Sequence, residues 1–555
     1  MESLLAALAA SSGGTVAAAA VGGLAAAAAL AVQAGNGGTG PKDRTNAPPV
    51  VPGLPLIGNL HQLKEKKPHK TFSKWSETYG PIYTIKTGAS SVAVLNTREV
   101  AKEFSLWRKK RTGKPKKTNE GKKNTHRRRA MDGGPKWVFP KTERYAMVAK
   151  YSSISTRKLP KSLDVLGRDK AMVAMSDYGD FYKKVKRLVM AGMLGSSTQK
   201  QFRETRDLMM DNMLSSFRTL VTDNPNHSPV NFRDVFKDEL FRLSLVQSIG
   251  EGVSSVYVEE FGREISRDEI YQITVVDILM WAIEVDWRDF FPYLGWIPNK
   301  GFETGLHTTE FRRTSVMRAL INEQKKRIAR GEARVSYLDF LVAENALTDD
   351  QLMMLVWEAV IENADTTLVT TEWAMYELAK NPEKQERLYQ EIKDVCAGET
   401  VTEDHLRRLP YLNAVFHETL RFHSPVPLVP PRFVHENTKL AGYDVPAGTE
   451  IIINLYGCNM NEKDWEKPEE WRPERFLDPR FDSADMYKTM SFGSGKRICA
   501  GSMQATVISC TAMARMVQEF SFRLKEGDED KVDTVQLTSY KLHPLYVHLS
   551  PRGSK

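Results

Sequence analysis

The stretch Phe492-Gly-Ser-Gly-Lys-Arg-Ile-Cys-Ala-Gly501 is the most informative part of this 555-residue chain. It reads as a glycine-rich turn leading into a helix from Ala500 to Phe522. Arg497 lies two residues before Cys499, and the helix begins beside that cysteine; both features favour a thiolate there. A thiolate in this position can ligate a haem iron while the arginine pairs with a propionate.

The same residues would also suit a plain turn with a buried cysteine before a helix. That interpretation does not explain why Arg497 lies so close to Cys499, or why two glycines lie near the cysteine. A dinucleotide-binding loop is excluded, because Gly493 and Gly495 lack the third glycine and no βαβ unit follows. The haem interpretation is therefore the stronger one.

The stretch matches every fixed position of F-x-x-G-x-R-x-C-x-G, and the chain thereby resembles the cytochrome P450 family. The resemblance implies a mainly α fold with small β-sheets. It also implies haem b, with the iron ligated by Cys499. The remaining cofactor contacts that it implies at this stretch are Phe492, Gly495, Arg497 and Gly501.

Two further motifs precede the cysteine in the order that the family shows. Glu418-Thr-Leu-Arg421 resembles E-x-x-R, with both charges on one face of a helix. Pro473-Glu-Arg475-Phe476 resembles the downstream P-E-R-F. An isolated E-x-x-R means little, but its spacing from Arg475 and Cys499 carries weight. The resemblance implies a buried ion triad of Glu418, Arg421 and Arg475.

A possible proton relay lies in Glu362-Asn-Ala-Asp365-Thr366-Thr367, inside a long helix. By resemblance, Asp365 and Thr366 are the acid-alcohol pair that relays protons during oxygen activation. Read without the resemblance, Asp-Thr-Thr only lowers helix propensity or bends the helix. The sequence departs from the family at Glu362 and Asn363, where small residues are usual, and this leaves the oxygen-binding geometry open.

A second departure falls in Asp177-Tyr-Gly-Asp-Phe-Tyr-Lys-Lys-Val-Lys-Arg187. This segment resembles the family's W-x-x-x-R segment, whose arginine contacts a haem propionate. Tyr182 and Lys186 occupy the two fixed positions here. Lysine offers a point charge but not a bidentate fork, and Lys186 is expected to contact the cofactor on that weaker basis.

Three stretches resemble the plant ent-kaurene oxidase family, namely Met147 to Leu163, Ala364 to Pro382 and His423 to Arg432. The resemblance implies oxidation of ent-kaurene at its C4 methyl, in successive steps to ent-kaurenoic acid, within gibberellin biosynthesis. Hydroxylation of another labdane-related diterpene in defence metabolism is one alternative, and a catalytically impaired homologue is another. The expected apolar pocket walls are Met354, Trp357, Val360, Ile361, Val426, Leu428 and Val429.

A basic insert at residues 104–145 interrupts this resemblance, because Lys102-Glu103 and Ala146-Met147 are adjacent in that family. Between Arg108 and Arg144 the net charge is +12, so the rest of the chain carries −3. Such a block is typical of solvated or disordered chain. It would suit polyanion binding, but it lacks interleaved aromatic residues, and we expect no nucleic-acid partner. We interpret it as a retained intron or a gene-model error.

The N-terminal residues 1–46 are almost uncharged and rich in alanine, a pattern that predicts a single membrane anchor. A cleaved targeting peptide and a low-complexity linker remain alternatives. Lys42 and Arg44 follow the apolar stretch, which places the bulk of the chain in the cytosol. A proline-rich hinge, 47–60, then leads into an expected catalytic domain, 61–555. We expect the endoplasmic reticulum, or alternatively the plastid outer envelope.

The composition is that of a globular protein, with 41% hydrophobic and 26% charged residues. Four scattered cysteines exclude a disulfide scaffold. The chain contains no flavin or nicotinamide motif, so the electrons are expected to come from NADPH-cytochrome P450 reductase. The other expected partners are dioxygen, an apolar diterpene substrate and a membrane.

Periodicity predicts where the main elements lie. The expected helices are 69–79, 199–223, 306–330, 351–379, 382–395 and 411–422. The expected strands are 82–94, 449–455 and a C-terminal pair within 534–549.

Overall fold

Helices make up most of the described chain. The computed structural model describes residues 46–63, 67–101, 154, 156–223, 228–332, 335–478, 489–493 and 495–553. The expected anchor at 1–46, apart from its last residue, and the basic insert at 104–145 lie outside these residues. Within them, a mainly α fold with small sheets is confirmed.

The principal helices in chain order are α1 (His69–Tyr79), α2 (Lys161–Leu166), α3 (Asp180–Val189), α4 (Ser196–Gln201), α5 (Arg203–Thr222), α6 (Phe232–Ile249), α7 (Arg267–Tyr271), α8 (Asp277–Trp281), α9 (Trp287–Phe290), α10 (Lys300–Ala329), α11 (Tyr337–Glu344), α12 (Asp349–Lys380), α13 (Pro382–Cys396), α14 (Pro410–Phe422), α15 (Leu455–Asn459) and α16 (Ser502–Glu519).

The strands are β1 (Ile82–Thr87), β2 (Ser90–Leu95), β3 (Val230–Asn231), β4 (Ser255–Val258), β5 (Arg263–Ser266), β6 (Leu428–Phe433), β7 (Thr438–Leu440), β8 (Tyr443–Val445), β9 (Glu450–Asn454), β10 (Phe520–Leu524), β11 (Thr534–Val535), β12 (Tyr540–Lys541) and β13 (Tyr546–Pro551). The largest sheet has the order β1-β2-β9-β6, with β2 and β9 parallel and the other pairs antiparallel. A three-stranded sheet has the order β10-β13-β3, and β4-β5, β7-β8 and β11-β12 pair as separate ribbons.

The central element of the fold is α12. Thr348 and Gln351 form a capping box at its start, and Asn381 followed by Pro382 ends it. Its first half, up to Ala364, packs in one hydrophobic cluster, and its second half, from Leu368, packs in another. The expected acid-alcohol pair therefore lies where the helix passes from one core to the other.

The predicted elements are largely confirmed, with shifts of a few residues at their ends. The predicted helix 199–223 is two helices, α4 and α5, separated at Phe202. The predicted strand 82–94 is the β1-β2 hairpin, which turns at Gly88 with φ +61°. A Cβ there would lie 2.2 Å from the carbonyl oxygen of Phe290, so only glycine fits. The sequence pattern did not reveal this close approach.

The proline-rich hinge lies along β1. The N–H of Val51 donates to the carbonyl of Thr84 at 3.0 Å, and the N–H of Thr84 donates to Pro49 at 2.7 Å. The chain then turns back, and the N–H of Asn59 donates to the carbonyl of Lys86 at 2.7 Å. The hinge is thus fixed to the edge of the largest sheet.

The anchor predicted at 1–46 lies outside the described residues, apart from its last residue, so only the described helices can be compared with a membrane's thickness. Among these residues, no helix combines the length and the apolar character that a crossing requires.

Candidate haem-thiolate site

The cysteine loop is a tight turn before α16. The N–H of Cys499 donates to the carbonyl of Phe492 at 2.9 Å, and the N–H of Ile498 donates to Gly495 at 3.1 Å. Gly493 and Gly495 have φ values of +66° and +69°, a conformation that side chains rarely adopt. The two glycines therefore allow the backbone to fold back and present the cysteine.

Some neighbours of the Cys499 thiol raise its pKa, and others lower it. Its pKa is raised to about 11, first by burial and second by the nearby Glu362. The N–H groups of Gly501 and Ser502, at the start of α16, lower the pKa, as does Lys186. The side chain retains accessible surface, even though protein atoms are dense around it. The exposed Cys499 side chain thus has N–H donors and a cation nearby that support a thiolate.

Arg497 is fixed from several sides. Its guanidinium donates to the carbonyl of Val173 at 3.2 Å and to the carbonyl of Ser176. It also stacks on the Tyr182 ring, with 4.1 Å between the guanidinium carbon and the ring centroid. The segment between α2 and α3 therefore sets the position of the arginine.

Helix α3 is bound to the cysteine loop by the two residues that stand at the W-x-x-x-R positions. The Tyr182 hydroxyl donates to the carbonyl of Lys496 at 2.6 Å, and Lys186 Nζ donates to the carbonyl of Ile498 at 3.0 Å. Burial lowers the pKa of Lys186, while the charges of Cys499 and Glu362 raise it. The structure thus brings Lys186 to the loop that carries Cys499 and Arg497.

Helix α12 presents two different faces near its midpoint. The Thr366 hydroxyl donates to the carbonyl of Glu362 one turn earlier, at 3.2 Å. Glu362 is close enough to influence the Cys499 thiol. Although its side chain is exposed, the protein atoms packed around it desolvate the carboxyl group and raise its pKa to about 7. Asp365, in contrast, lies against the β11-β12 hairpin. The structure therefore separates the expected acid-alcohol pair onto different sides of the helix.

Glu358 is a part of the site that the sequence did not reveal. Its side chain is 3% exposed and accepts the N–H groups of Val173 and Ala174, each at 2.7 Å. Burial raises its pKa well above the ordinary value, and the two N–H groups act in the opposite direction. An acid among Trp357, Val360 and Ile361 on an apolar helix was the only available signal.

The expected pocket walls on α12 lie mostly in the core. Met354, Trp357 and Val360 pack among neighbouring helices, and the indole N–H of Trp357 donates to the carbonyl of Thr274 at 2.9 Å. Leu428 and Val429 lie in β6, partly buried against the largest sheet. These positions support the fold, and their contact with a substrate remains a prediction.

The predicted ion triad is present and fully buried. Arg421 pairs with Glu418 through two hydrogen bonds of 2.8 Å, and Arg475 Nε donates to the same carboxylate at 3.0 Å. The backbone N–H of Arg472 adds a fourth bond, at 2.7 Å. The triad joins α14 to the 3₁₀ turn at Pro473–Leu477.

The donor set at the cysteine loop fits one prosthetic group. A single sulfur ligand lies at a helix start, with the cations Arg497 and Lys186 beside it and Glu362 of α12 nearby. This arrangement suits a haem whose iron takes an axial thiolate. Phe492 lies in the same turn, stacked near Phe416 with ring centroids 6.5 Å apart. Gly501 has no steric need to be glycine, since a Cβ would lie 4.0 Å from the Cys499 sulfur. The site and fold together define a haem-thiolate protein.

Comparison with known protein families identifies the family to which this haem-thiolate protein belongs. Residues 48–149 and 138–546 match Cytochrome P450, and the chain belongs to that family. It is a cytochrome P450 monooxygenase, and its cofactor is a haem with iron ligated by cysteine.

Three relatives show how far this similarity extends. Ent-kaurene oxidase 2 of Oryza sativa subsp. japonica is 69% identical over 513 residues, covering 92% of this chain and 93% of that protein. Ent-sandaracopimaradiene 3-hydroxylase of the same organism is 61% identical over 511 residues, covering 92% of each. Ent-kaurene oxidase of Salvia miltiorrhiza is 52% identical over 507 residues, covering 91% and 89%.

Proposed function

We propose that the chain oxidises a diterpene hydrocarbon, and specifically ent-kaurene at its C4 methyl, in successive steps to ent-kaurenoic acid for gibberellin biosynthesis. The main support for this proposed function is the 69% identity to a rice ent-kaurene oxidase over nearly the whole of both chains. A second candidate is hydroxylation of another labdane-related diterpene, favoured by the 61% identity to ent-sandaracopimaradiene 3-hydroxylase. The two differ in substrate and in the carbon attacked.

We propose that Cys499 is the iron ligand and that Arg497 and Lys186 bind the haem propionates. Bound at Cys499, the haem supplies the activation of dioxygen that lets an unactivated C–H bond be oxidised. The N–H groups of Gly501 and Ser502 stabilise the thiolate by hydrogen bonding. The other residues of the chain exclude water and orient the substrate.

Thr366 and Asp365 serve, in this proposal, to hold and move protons on the α12 side of the site. Burial raises the pKa of Asp365 to about 7, which suits a group that both accepts and releases a proton near neutrality. Thr366 stands on the face of α12 that Glu362 shares, one turn away. The alcohol therefore lies nearer the cysteine loop than the acid does.

The segment 104–145 is, in this proposal, no part of the catalytic fold. Val100 and Ala101 before it and Ile154 after it are buried in the same hydrophobic cluster. Since the chain on both sides of the segment meets in one cluster, removing 42 residues requires no rearrangement of that core. Shortening such a connection also lowers the cost of closing it, by about (3/2)RT times the logarithm of the length ratio.

The experiment compares the chain as written with a variant lacking 104–145, each reduced and exposed to carbon monoxide. We expect a thiolate-type red-shifted band in the shortened chain, at equal or higher yield than in the full one. With NADPH, NADPH-cytochrome P450 reductase and ent-kaurene, the shortened chain is expected to form ent-kaurenoic acid. Omitting the reductase should abolish the product.

Several outcomes would overturn parts of this proposal. A normal band only in the full chain would show that the segment belongs to the fold. If the main form of the mRNA contained the segment, its interpretation as a retained intron would be wrong. Turnover of ent-sandaracopimaradiene with none of ent-kaurene would select the second candidate. No product from either substrate, with a normal band, would leave a catalytically impaired homologue.

We propose that one face of the molecule rests on a membrane, of the endoplasmic reticulum or of the plastid outer envelope. Trp296 and Tyr293, after α9, are 79% and 52% exposed, and Leu54 of the hinge is 51% exposed. The hinge and α9 both reach the β1-β2 hairpin, where the N–H of Ala89 donates to Phe290 at 2.8 Å. Aromatic side chains of this kind favour the headgroup region of a bilayer.

A chain without residues 1–46 tests this face separately from the expected anchor. Trp296→Ser is expected to weaken cosedimentation with phospholipid vesicles several-fold, because the indole no longer partitions into the interface. Tyr257→Ser, at the 62%-exposed position in the β4-β5 hairpin, is the control and should leave binding unchanged. Equal binding by both variants would contradict the proposed face. Fluorescent fusion of residues 1–46 then distinguishes the two membranes.

A further inference from the structure

Asp365 is a buried carboxyl group whose nearest polar neighbour on the β11-β12 hairpin is the Thr538 hydroxyl. It is 2% exposed, and neither carboxylate oxygen has any other hydrogen-bond partner among the described residues. Leaving such a group unpaired costs free energy, so its surroundings need an explanation. The charges of Lys67 and Arg233 and the hydroxyl of Thr538 act against the burial that raises its pKa.

The β11-β12 hairpin holds Thr538 beside this acid. The indole N–H of Trp373 on α12 donates to the carbonyl of Ser539 at 2.8 Å, and Lys541 Nζ lies 4.2 Å from the centroid of the Trp373 ring. From α6, Arg233 donates to the carbonyl of Lys541 at 2.7 Å. The hairpin is therefore fixed on α12. The Thr538 hydroxyl is buried near Asp365, on whose pKa it acts, and has no other hydrogen-bond partner among the described residues.

Lys67 connects this buried pair to the outside. Its Nζ donates to the carbonyl of Thr538 at 2.9 Å and to the hydroxyl of Thr534 at 3.2 Å. It lines a cleft of about 1310 Å³, whose walls include the exposed Lys70 and Glu383. Burial lowers the pKa of Lys67 to about 8, so its ammonium group releases a proton more readily than an ordinary lysine does.

We propose that Lys67 and Thr538 form the inlet through which protons from the cleft reach Asp365. The inference rests on the proposed function, and it deepens the role given there to Asp365. The Thr538 hydroxyl gives its proton to the Asp365 carboxylate, where an O–H bond forms. A water molecule of the cleft takes a proton from the Lys67 ammonium, whose N–H bond breaks, and gives one of its own protons to the hydroxyl oxygen. Water in the cleft then protonates the lysine again, and no electrons are transferred.

Arg233 does not suit this role, although its charge also acts on Asp365. A guanidinium stays protonated in proteins and cannot release a proton. Arg233 is also occupied by Glu372, to which its Nε donates at 3.0 Å. Lys67 and Thr538 act through Asp365 and not on the substrate, so they are positioning residues for the reaction.

The test compares Lys67→Met with Lys70→Met in the full chain, with reductase and NADPH supplied. Lys70 lines the same cleft but has no contact with the hairpin among the hydrogen bonds described, so it is a matched control. For Lys67→Met we expect kcat to fall at least about tenfold, the low end of what a positioned proton donor contributes. We also expect its solvent deuterium isotope effect to rise, with KM and the carbon monoxide band unchanged.

Infrared spectroscopy gives a readout that needs no turnover. The carbonyl band of protonated Asp365, identified by its absence in Asp365→Asn, is followed against pH. The positive charge of Lys67 favours the carboxylate, so Lys67→Met should raise the pKa of Asp365 above about 7 and extend the band to higher pH. Lys70→Met should leave the titration unchanged.

Lys67→Arg separates charge from proton transfer. It keeps the charge, so the titration of Asp365 should stay close to that of the parent, while kcat stays low because arginine releases no proton. Full turnover in Lys67→Arg would overturn the inlet, and so would equal kcat in Lys67→Met and Lys70→Met. Absence of the carbon monoxide band both in the parent chain and in the chain lacking 104–145 would instead overturn the proposed function.

Discussion

Cys499→Ser is expected to abolish both the red-shifted carbon monoxide band and product formation. A serine hydroxyl at this position is not ionised near neutrality and cannot supply the thiolate donation that tunes the iron. The N–H groups of Gly501 and Ser502 and the charge of Lys186 would then face a neutral oxygen. Carbon monoxide difference spectra and product analysis of the purified variant measure the effect.

Cys396→Ser is the matched control for this change. Cys396 is 2% exposed at the end of α13 and packs in a hydrophobic cluster, so the same substitution there alters only the core. We expect the band to persist in Cys396→Ser. Haem content, measured as the pyridine complex, should remain substantial in Cys499→Ser because Arg497 and Lys186 are unchanged. A normal band in Cys499→Ser would refute the assignment of the ligand.

Arg475→Ala is expected to lower the free energy of unfolding by roughly 3–5 kcal/mol, the typical cost of removing one partner from a buried ion pair. The change leaves Glu418 with one guanidinium instead of two. It also leaves the carbonyls of Glu466, Lys467 and Glu470 without the donor that now binds them at 2.8–3.2 Å. Urea unfolding followed by tryptophan fluorescence measures the difference.

Arg472→Ala provides the comparison three residues away. Its guanidinium pairs with Glu466 at 3.2 Å, where the two side chains are 32% and 76% exposed. Exposed pairs contribute about 0–1 kcal/mol, and the backbone N–H that binds Glu418 survives this substitution. Equal losses of stability in the two variants would show that the triad is not what holds the turn at Pro473–Leu477.

The sequence was sufficient for the parts of the site that are local. The turn at 492–501 and the E-x-x-R pair each lie within a dozen residues, and the structure has the tight turn and the buried ion pair that these motifs predict. The cofactor contact predicted for Lys186 stays a prediction. The bounds of α12 were predicted to within two residues because its capping box and its terminal Asn-Pro are local signals.

Contacts between distant segments could not be predicted in this way. Glu358 binds the N–H groups of Val173 and Ala174, and Lys67 binds the hairpin at Thr538, across separations of 184 and 471 residues in the chain. Such contacts follow from how helices and hairpins pack, and they leave no periodic pattern. Helix geometry alone predicts that Asp365 and Thr366 point about 100° apart, but the contact of Asp365 with the β11-β12 hairpin depends on long-range packing.

The peptide group between Val173 and Ala174 lies directly between two charged side chains. Its N–H donates to Glu358 on α12, and its carbonyl accepts from Arg497 in the cysteine loop. The carboxyl group and the guanidinium polarise this one amide in the same sense, so each strengthens the other's hydrogen bond. Glu358 and Arg497 are therefore coupled through a single peptide group, which links the position of α12 to that of the guanidinium in the cysteine loop.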